Sequence, residues 1–279
     1  MHCRGKPPVC AVVQHRSIAD ALLDYAQRAS TDVNPQVRSV LKLKLSIPDL
    51  LNITDPREVP CYSIPLAAHY LQLPIATLSS WVRGRKYPVR GGKKTFRPLI
   101  HVRDKRVPML SFYNLAEAHV LSAFRREHQM PMARIRTALD YVSRQFGWKR
   151  PLIEQDFKTD GVGLLIEHLG NLIDVVAGGQ IVMRKCVEQH LQRMEWENKL
   201  VARLYPFTHA NKDESPKIVL IDPKYSFGRP FLAKTRVATA IIAERYKAGD
   251  SIEHLAKDYA CPQAEIEEAV RCELSLLAA

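Results

Sequence analysis

The sequence predicts a mainly α chain with small β elements, an α+β fold. Three observations predict it. Apolar residues recur at helical spacing in separated segments, among them 18–26, 66–71, 115–123 and 135–142. Two short extended runs flank Gly91-Gly92, which is hairpin composition. Between residues 152 and 222, short apolar runs alternate with the turn pairs Asp160-Gly161 and Gly170-Asn171, and read as strands.

Along the chain, residues 1–58 form the least informative stretch. SIADALLDYAQRA carries a helical stripe at Ile18, Leu22 and Tyr25. Both a helical arm and an over-extended gene start fit this stretch. From Cys61 the pattern sharpens. Ser63 is placed to cap a helix whose first turn accommodates Pro65, with Leu66, Ala67, Tyr70 and Leu71 as its stripe. Gln72-Leu73 forms a tight turn. Pro74 then starts a second helix, whose Leu78 and Trp81 face the first, with small Ala68 at the crossing. Any short helical hairpin shares this layout, and so does a helix-turn-helix.

Charge separates those two readings. The run Arg83, Arg85, Lys86, Arg90, Lys93, Lys94, Arg97, Arg103, Lys105 and Arg106 holds ten cations against one acid, Asp104. Part of it lies on a hairpin, with Tyr87–Val89 and Thr95–Ile100 as strands around Gly91-Gly92. A one-signed run on a wing beside a helix-turn-helix fits phosphate contacts better than a solvated loop does. On the second helix, Ala76, Thr77 and Ser80 lie on the outer side as base-reading candidates.

Two more helices follow, LSFYNLAEAHVLSAFRREH and MPMARIRTALDYVSRQFG, the latter stopped by Gly147. LIEQDF, GVGLLIEH and NLIDVVAG are then expected as strands. A helix is expected near Met183–Trp196, followed by strands in LVARLYPF and KIVLIDP. The end of the chain has a second helix-turn-helix shape: TRVATAIIAERYKAG, then DSIEHLAKDY capped by Asp250 or Ser251, then PQAEIEEAVRCE. From Asp250 onward seven acids face only Lys257 and Arg271. Such a module repels phosphate and suits a protein partner. The expected layout is therefore an arm or over-extended start at 1–58, a winged helix-turn-helix domain at 59–150, a strand-rich middle module at 151–216, and an acidic three-helix module at 217–279.

Composition bounds the function. Lys and Arg outnumber Asp and Glu by 41 to 29, a net charge of +12 over 279 residues, which favours a polyanionic partner. No apolar run approaches the ~20 residues needed to span a bilayer. The N-terminus reads poorly as a signal peptide, so a cytoplasmic protein with reduced thiols is expected. Six cysteines form no C-x-x-C pair, and Cys3, Cys10 and His15 lack a fourth ligand. No nucleophile motif, P-loop or paired-carboxylate cluster is present. Neither an enzyme, a metal nor a cofactor is expected.

IPLAAHYLQLPIATLSSWV resembles the MerR-like winged helix-turn-helix proteins, with Ala68, Leu73, Thr77, Leu78 and Trp81 at the matching places. The ending resembles a domain-of-unknown-function family, the one numbered 433. Its marks are Asp222-Pro223, Phe227-Gly228-Arg229-Pro230, Thr235-Arg236, Ala248-Gly249-Asp250-Ser251 and Asp258-Tyr259. One departure is Leu232-Ala233-Lys234, where that family more often has a small polar or glycine-containing turn. The combination, from Cys61 to Glu273, resembles VapB-type bacterial antitoxins. The resemblance implies that the basic half binds operator DNA of its own operon as an autorepressor. It also implies that the acidic half binds a toxin, in that family usually a PIN-type ribonuclease, which holds metal with clustered carboxylates and acts on RNA. A homodimer is expected, because winged regulators read two half-sites. The alternative is a MerR-like regulator that senses a small ligand through the middle module, with no toxin.

Overall fold

The computed structural model of the protein describes residues 55–89, 92–128, 132–173, 177–209 and 211–274. The arm expected at 1–58 lies outside them except for Asp55–Glu58. There Pro56–Glu58 make a 3-10 turn, and the Asp55 carboxylate accepts from the Arg57 amide (2.9 Å) and the Tyr113 hydroxyl (2.9 Å).

Helices α1 (Ile64–Tyr70) and α2 (Ile75–Arg83) form the first pair. Strands β1 (Arg85–Val89) and β2 (Gly92–Phe96) form an antiparallel hairpin directly after α2. Helices α3 (Phe112–His128) and α4 (Met132–Phe146) follow, as the stripes predict. From Phe112 to Phe124, α3 is buried at every position but Glu117, so it runs through the centre of the core.

The middle of the chain corrects the sequence reading. LIEQDF forms 3-10 turns at Pro151–Ile153 and Gln155–Lys158. GVGLLIEH and the start of NLIDVVAG lie within one helix, α5 (Asp160–Ile173), and α6 (Ala177–Leu191) follows. A dense apolar run cannot be assigned to strand or helix by periodicity alone. Val162, Leu165, Ile166 and Leu169 are the buried positions, and their spacing is helical. Gly161 does not mark a turn. A Cβ there would sit 2.4 Å from the Phe157 ring and 3.0 Å from Trp148, so the glycine permits close packing.

Among the described residues after the wing, the strands are β3 (Met194–Glu197) with β4 (Leu200–Leu204), and β5 (Val219–Leu220) with β6 (Phe231–Leu232), both pairs antiparallel. Asn198 and Lys199, both at positive φ, turn the first of these hairpins. Between β4 and β5 the chain is held by Arg193. Its buried guanidinium donates to the carbonyls of Tyr205 (2.9 Å), Pro206 (2.9 Å), Ser215 (2.8 Å) and Pro216 (3.0 Å). Burial pulls its pKa down to about 10.

One core runs from Tyr62 to Ile221, so residues 151–216 share it with the helices before them instead of building a module of their own. A second, smaller core joins Leu232, Ile242, Leu255, Ile266 and Ala269. It is closed by α7 (Thr239–Lys247), α8 (Ile252–Asp258) and α9 (Gln263–Leu274). Ser251 caps α8 by accepting from the His254 amide at 3.1 Å. The helix expected from Thr235 starts only at Thr239, because Arg236 has φ of 59° and ends a turn.

Most of the acid excess after Asp250 is neutralised inside the module. Asp250 and Asp258 both meet Arg245 at 2.7 Å, and Glu265 meets Lys234 at 2.8 Å. Buried Glu268 accepts from His209 (2.7 Å) and pairs with Arg271. Glu273 accepts from the Thr239 hydroxyl at 2.5 Å. Over residues 217–279 acids and cations balance at nine each. The acidic face expected from the sequence is therefore largely spent on folding.

Candidate nucleic-acid interface

The interface starts from the α1–α2 turn. Ser63 Oγ accepts from the Leu66 amide at 3.3 Å and caps α1. Gln72, at φ of 51°, makes the turn, and the Leu73 amide donates to the Ala68 carbonyl at 2.8 Å. Ala68, Leu78 and Trp81 are fully or almost fully buried, so the α1–α2 crossing is fixed by packing.

On the other side of α2, Ala76 is exposed, while Thr77 and Ser80 are half-buried. The Ser80 hydroxyl donates to the Thr77 carbonyl at 2.8 Å. Its one proton is engaged within the helix, so it offers only lone pairs outward. That suits a base donor and disfavours a phosphate. Sequence reasoning passed over Ile75, which is 54% exposed at the start of α2. Its proximity to Pro74 hid it, although an apolar residue at a helix tip is a candidate contact for a thymine methyl.

The wing is tied to the end of α2. Gly84 has φ of 73°, and a Cβ there would lie 2.5 Å from the Phe96 carbonyl oxygen. Only glycine lets the chain turn out of α2 this close to the returning strand. The Leu99 and Ile100 amides both donate to the Trp81 carbonyl, at 2.7 and 3.1 Å, which satisfies a helix-end acceptor. The return strand thus ends at Phe96, short of the Ile100 expected from the sequence, because residues 97–100 bond to α2 instead.

Arg83, Arg85, Lys86 and Arg97 are exposed on and around the hairpin. The backbone register pairs Lys93 with Pro88 and Lys94 with Tyr87. Arg90 lies outside the described residues. Beyond the hairpin, the lone acid Asp104 accepts from the Arg106 amide at 2.8 Å and so serves its own loop. Arg103, Lys105 and Arg106 are exposed beside it.

The structure adds residues from α4 that the sequence reading did not connect to the wing. Arg136 donates to the Arg97 carbonyl and lies 5.5 Å over the Phe96 ring. Burial lowers its pKa, and the neighbouring Arg97 charge lowers it further, against Asp140. Exposed Arg134 lies two positions earlier on the same helix. Cations from α4 and the wing thus extend one basic surface, which no local pattern in the sequence could reveal.

A helix pair with a basic hairpin leaving its second helix defines a winged helix-turn-helix protein of the DNA-binding class. Residues 60–139 match the family described as a putative DNA-binding HTH domain, and residues 219–271 match a protein family of unknown function, DUF433. The chain belongs to the family of the putative antitoxin VapB45 of Mycobacterium tuberculosis, with 30% identity over 233 residues, covering 76% of this chain and 93% of that protein. It is 23% identical over 217 residues to the uncharacterized protein Rv2308 of the same organism, covering 71% of this chain and 83% of that one. The crystal structure of Rv2018 from Mycobacterium tuberculosis shares the fold, with a TM-score of 0.56 at 24% identity, covering 76% of this chain and 98% of that one. No helix among the described residues is long and apolar enough to cross a membrane.

Proposed function

We propose that the protein is the antitoxin of a type II toxin–antitoxin pair, neutralising a PIN-type ribonuclease in the cytoplasm and repressing its own operon as a homodimer. Operator DNA is read by Ala76, Thr77 and Ser80, while Arg83, Arg85, Lys86, Arg90, Lys93, Lys94 and Arg97 hold phosphate. The DNA-binding domain spans residues 59–150, and the toxin is held by the segment 217–279. The carrying observation is the pairing of an exposed basic wing, fused to α2 at Gly84, with a separately cored C-terminal module. The relationship to an antitoxin supports the same reading.

The test is co-expression of the full chain with the products of its neighbouring genes, followed by pull-down and a gel shift on the upstream DNA. Capture of a ribonuclease, together with a salt-sensitive shift that prefers the upstream sequence, is the expected result. A shift with no captured protein would leave a plain regulator.

One observation bears on the second reading, a regulator that senses a ligand through the middle module. A cavity of about 250 Å³ lies within the wing domain, lined in part by Glu58, His101, Arg103, Asn114 and Arg150, and none of its lining comes from residues 151–216. Arg150 is already paired with Glu117 at 3.1 Å, which lowers its availability to a ligand. The antitoxin reading therefore stands first.

A further inference from the structure

In the motif Tyr225-Ser226-Phe227-Gly228-Arg229, Gly228 is buried against Tyr62, while the other four residues are exposed. The backbone of the motif is strained. Ser226, Phe227 and Gly228 have φ of 47°, 53° and 73°, three successive residues in the left-handed region. A bulky residue there is a genuine outlier. Phe227 does not enter the core as compensation, because it is 56% exposed, and Tyr225 is 40% exposed. Strain combined with exposed aromatics is the pattern of a functional surface.

A second segment converges on the same place. The turn after β6 brings Arg236, also left-handed at φ of 59°, over the Tyr225 ring at 4.7 Å. The other neighbour of Tyr225 is Phe231, with ring centroids 6.0 Å apart. Arg229 is exposed at the end of the strained turn. Among the described residues neither Arg229 nor Arg236 enters an ion pair, whereas nearby Lys224 is held by Glu197 at 2.8 Å. Two uncompensated guanidinium groups therefore flank an aromatic tip.

We infer that Tyr225, Phe227, Arg229 and Arg236 form the docking surface for the protein partner, and that the partner meets it with carboxylates. This rests on the antitoxin reading, in which the partner is the toxin. The charge presented at this surface is the reverse of the one the sequence suggests. The module's acids are mostly paired internally, and its free charge at this surface is positive. Arginine suits such a contact because its planar fork bonds carboxylate oxygens in pairs and stacks on aromatic rings.

The test uses the full-length chain, the products of its neighbouring genes, and the variants Phe227→Gly, Arg229→Glu and Arg236→Glu. The wild type is expected to capture one neighbour, and each variant to weaken that capture about 10-fold or more, as loss of a central anchor does. Glycine adopts the left-handed region freely, so Phe227→Gly should raise Tm by about 2 °C while binding falls. Operator DNA affinity should stay within about twofold in all three, because a surface that serves the protein partner alone gives up no phosphate contact when it is changed. A fall in Tm for Phe227→Gly would show a structural residue and overturn the assignment. Undiminished capture by all variants would overturn it and leave the antitoxin reading intact. A parallel loss of DNA affinity would reassign the surface to nucleic acid and overturn it as well. If the wild type captures nothing, the antitoxin reading falls and this surface falls with it.

Discussion

The hydroxyl of Tyr62 donates to the carbonyl oxygen of Gly228 across 2.7 Å, in a buried position that joins the helix-turn-helix to the C-terminal module. The fit is close. Gly228 has φ of 73°, and a Cβ on it would lie 2.4 Å from the Tyr62 hydroxyl. The DNA-facing and C-terminal parts are therefore not beads on a string.

That junction predicts an order of stability. Tyr62→Phe leaves a buried carbonyl without its donor and should lower stability by about 1–2 kcal/mol. Gly228→Ala meets both backbone strain and the tyrosine oxygen, and should cost about 2 kcal/mol or more. Urea denaturation of both variants checks this. A neutral Tyr62→Phe would show that the junction contributes nothing to folding.

The wing predicts a change in salt dependence. Replacing Lys93 and Lys94 together with alanine should weaken operator and random DNA alike. The slope of log affinity against log salt should fall by about one unit for each phosphate that the wing no longer neutralises. An unchanged slope in titrations from low to moderate salt would remove the wing from the phosphate-binding surface.

Helix α2 predicts a change in specificity. Thr77→Ala should narrow the gap between operator and random DNA by ~1 kcal/mol or more if Thr77 touches a base. Ser80→Ala should do less to random DNA than a phosphate donor would, since its proton is already given to the Thr77 carbonyl. Equal losses on both DNAs for Thr77→Ala would make it a positioning residue.

His69, on α1, predicts a pH effect on folding. Burial lowers its pKa below the ordinary 6.5, only partly opposed by its hydrogen bond to the Cys272 backbone. Its Nε2 is buried with no hydrogen-bond partner, so a proton added there would have no acceptor. The unfolded chain then takes up the proton first as pH falls. Stability is therefore constant in this residue above pH 6.5, and falls as pH drops from 6.5 through the lower folded pKa. Urea midpoints at pH 7.5 and 5.5 should differ less in His69→Asn than in the wild type. An identical pH slope would show that the other histidines carry the effect.

Legibility was greatest where the signal was local. The Ser63 cap, the Gln72 turn, the buried Leu78 and Trp81, and the hairpin after α2 were readable because each depends on residues within a few positions. The same holds for α4, α8 and α9, whose apolar stripes are clean, and α3 was readable as a helix although the fold buries it on nearly every side. It failed at Gly161–Ile173, where a glycine-flanked apolar run suits a buried strand and a buried helix equally. The helix is seen in the burial of Val162, Leu165, Ile166 and Leu169, and the missing Cβ at Gly161 lets it pack against Phe157 and Trp148.

The sequence by itself determined the helical pairs, the wing, the ten-cation run and the family resemblance at both ends. Only the tertiary structure decided which charges remain available. Asp250, Asp258, Glu265 and Glu268 read as an acidic face until Arg245, Lys234 and Arg271 are seen beside them. It also brought Arg136 to Arg97, and Arg236 to Tyr225. The physical reason is range. Periodicity, caps and turns are set by neighbours along the backbone, whereas desolvation and ion pairing are set by whatever the fold brings close, as with Tyr62 and Gly228, which lie 166 positions apart.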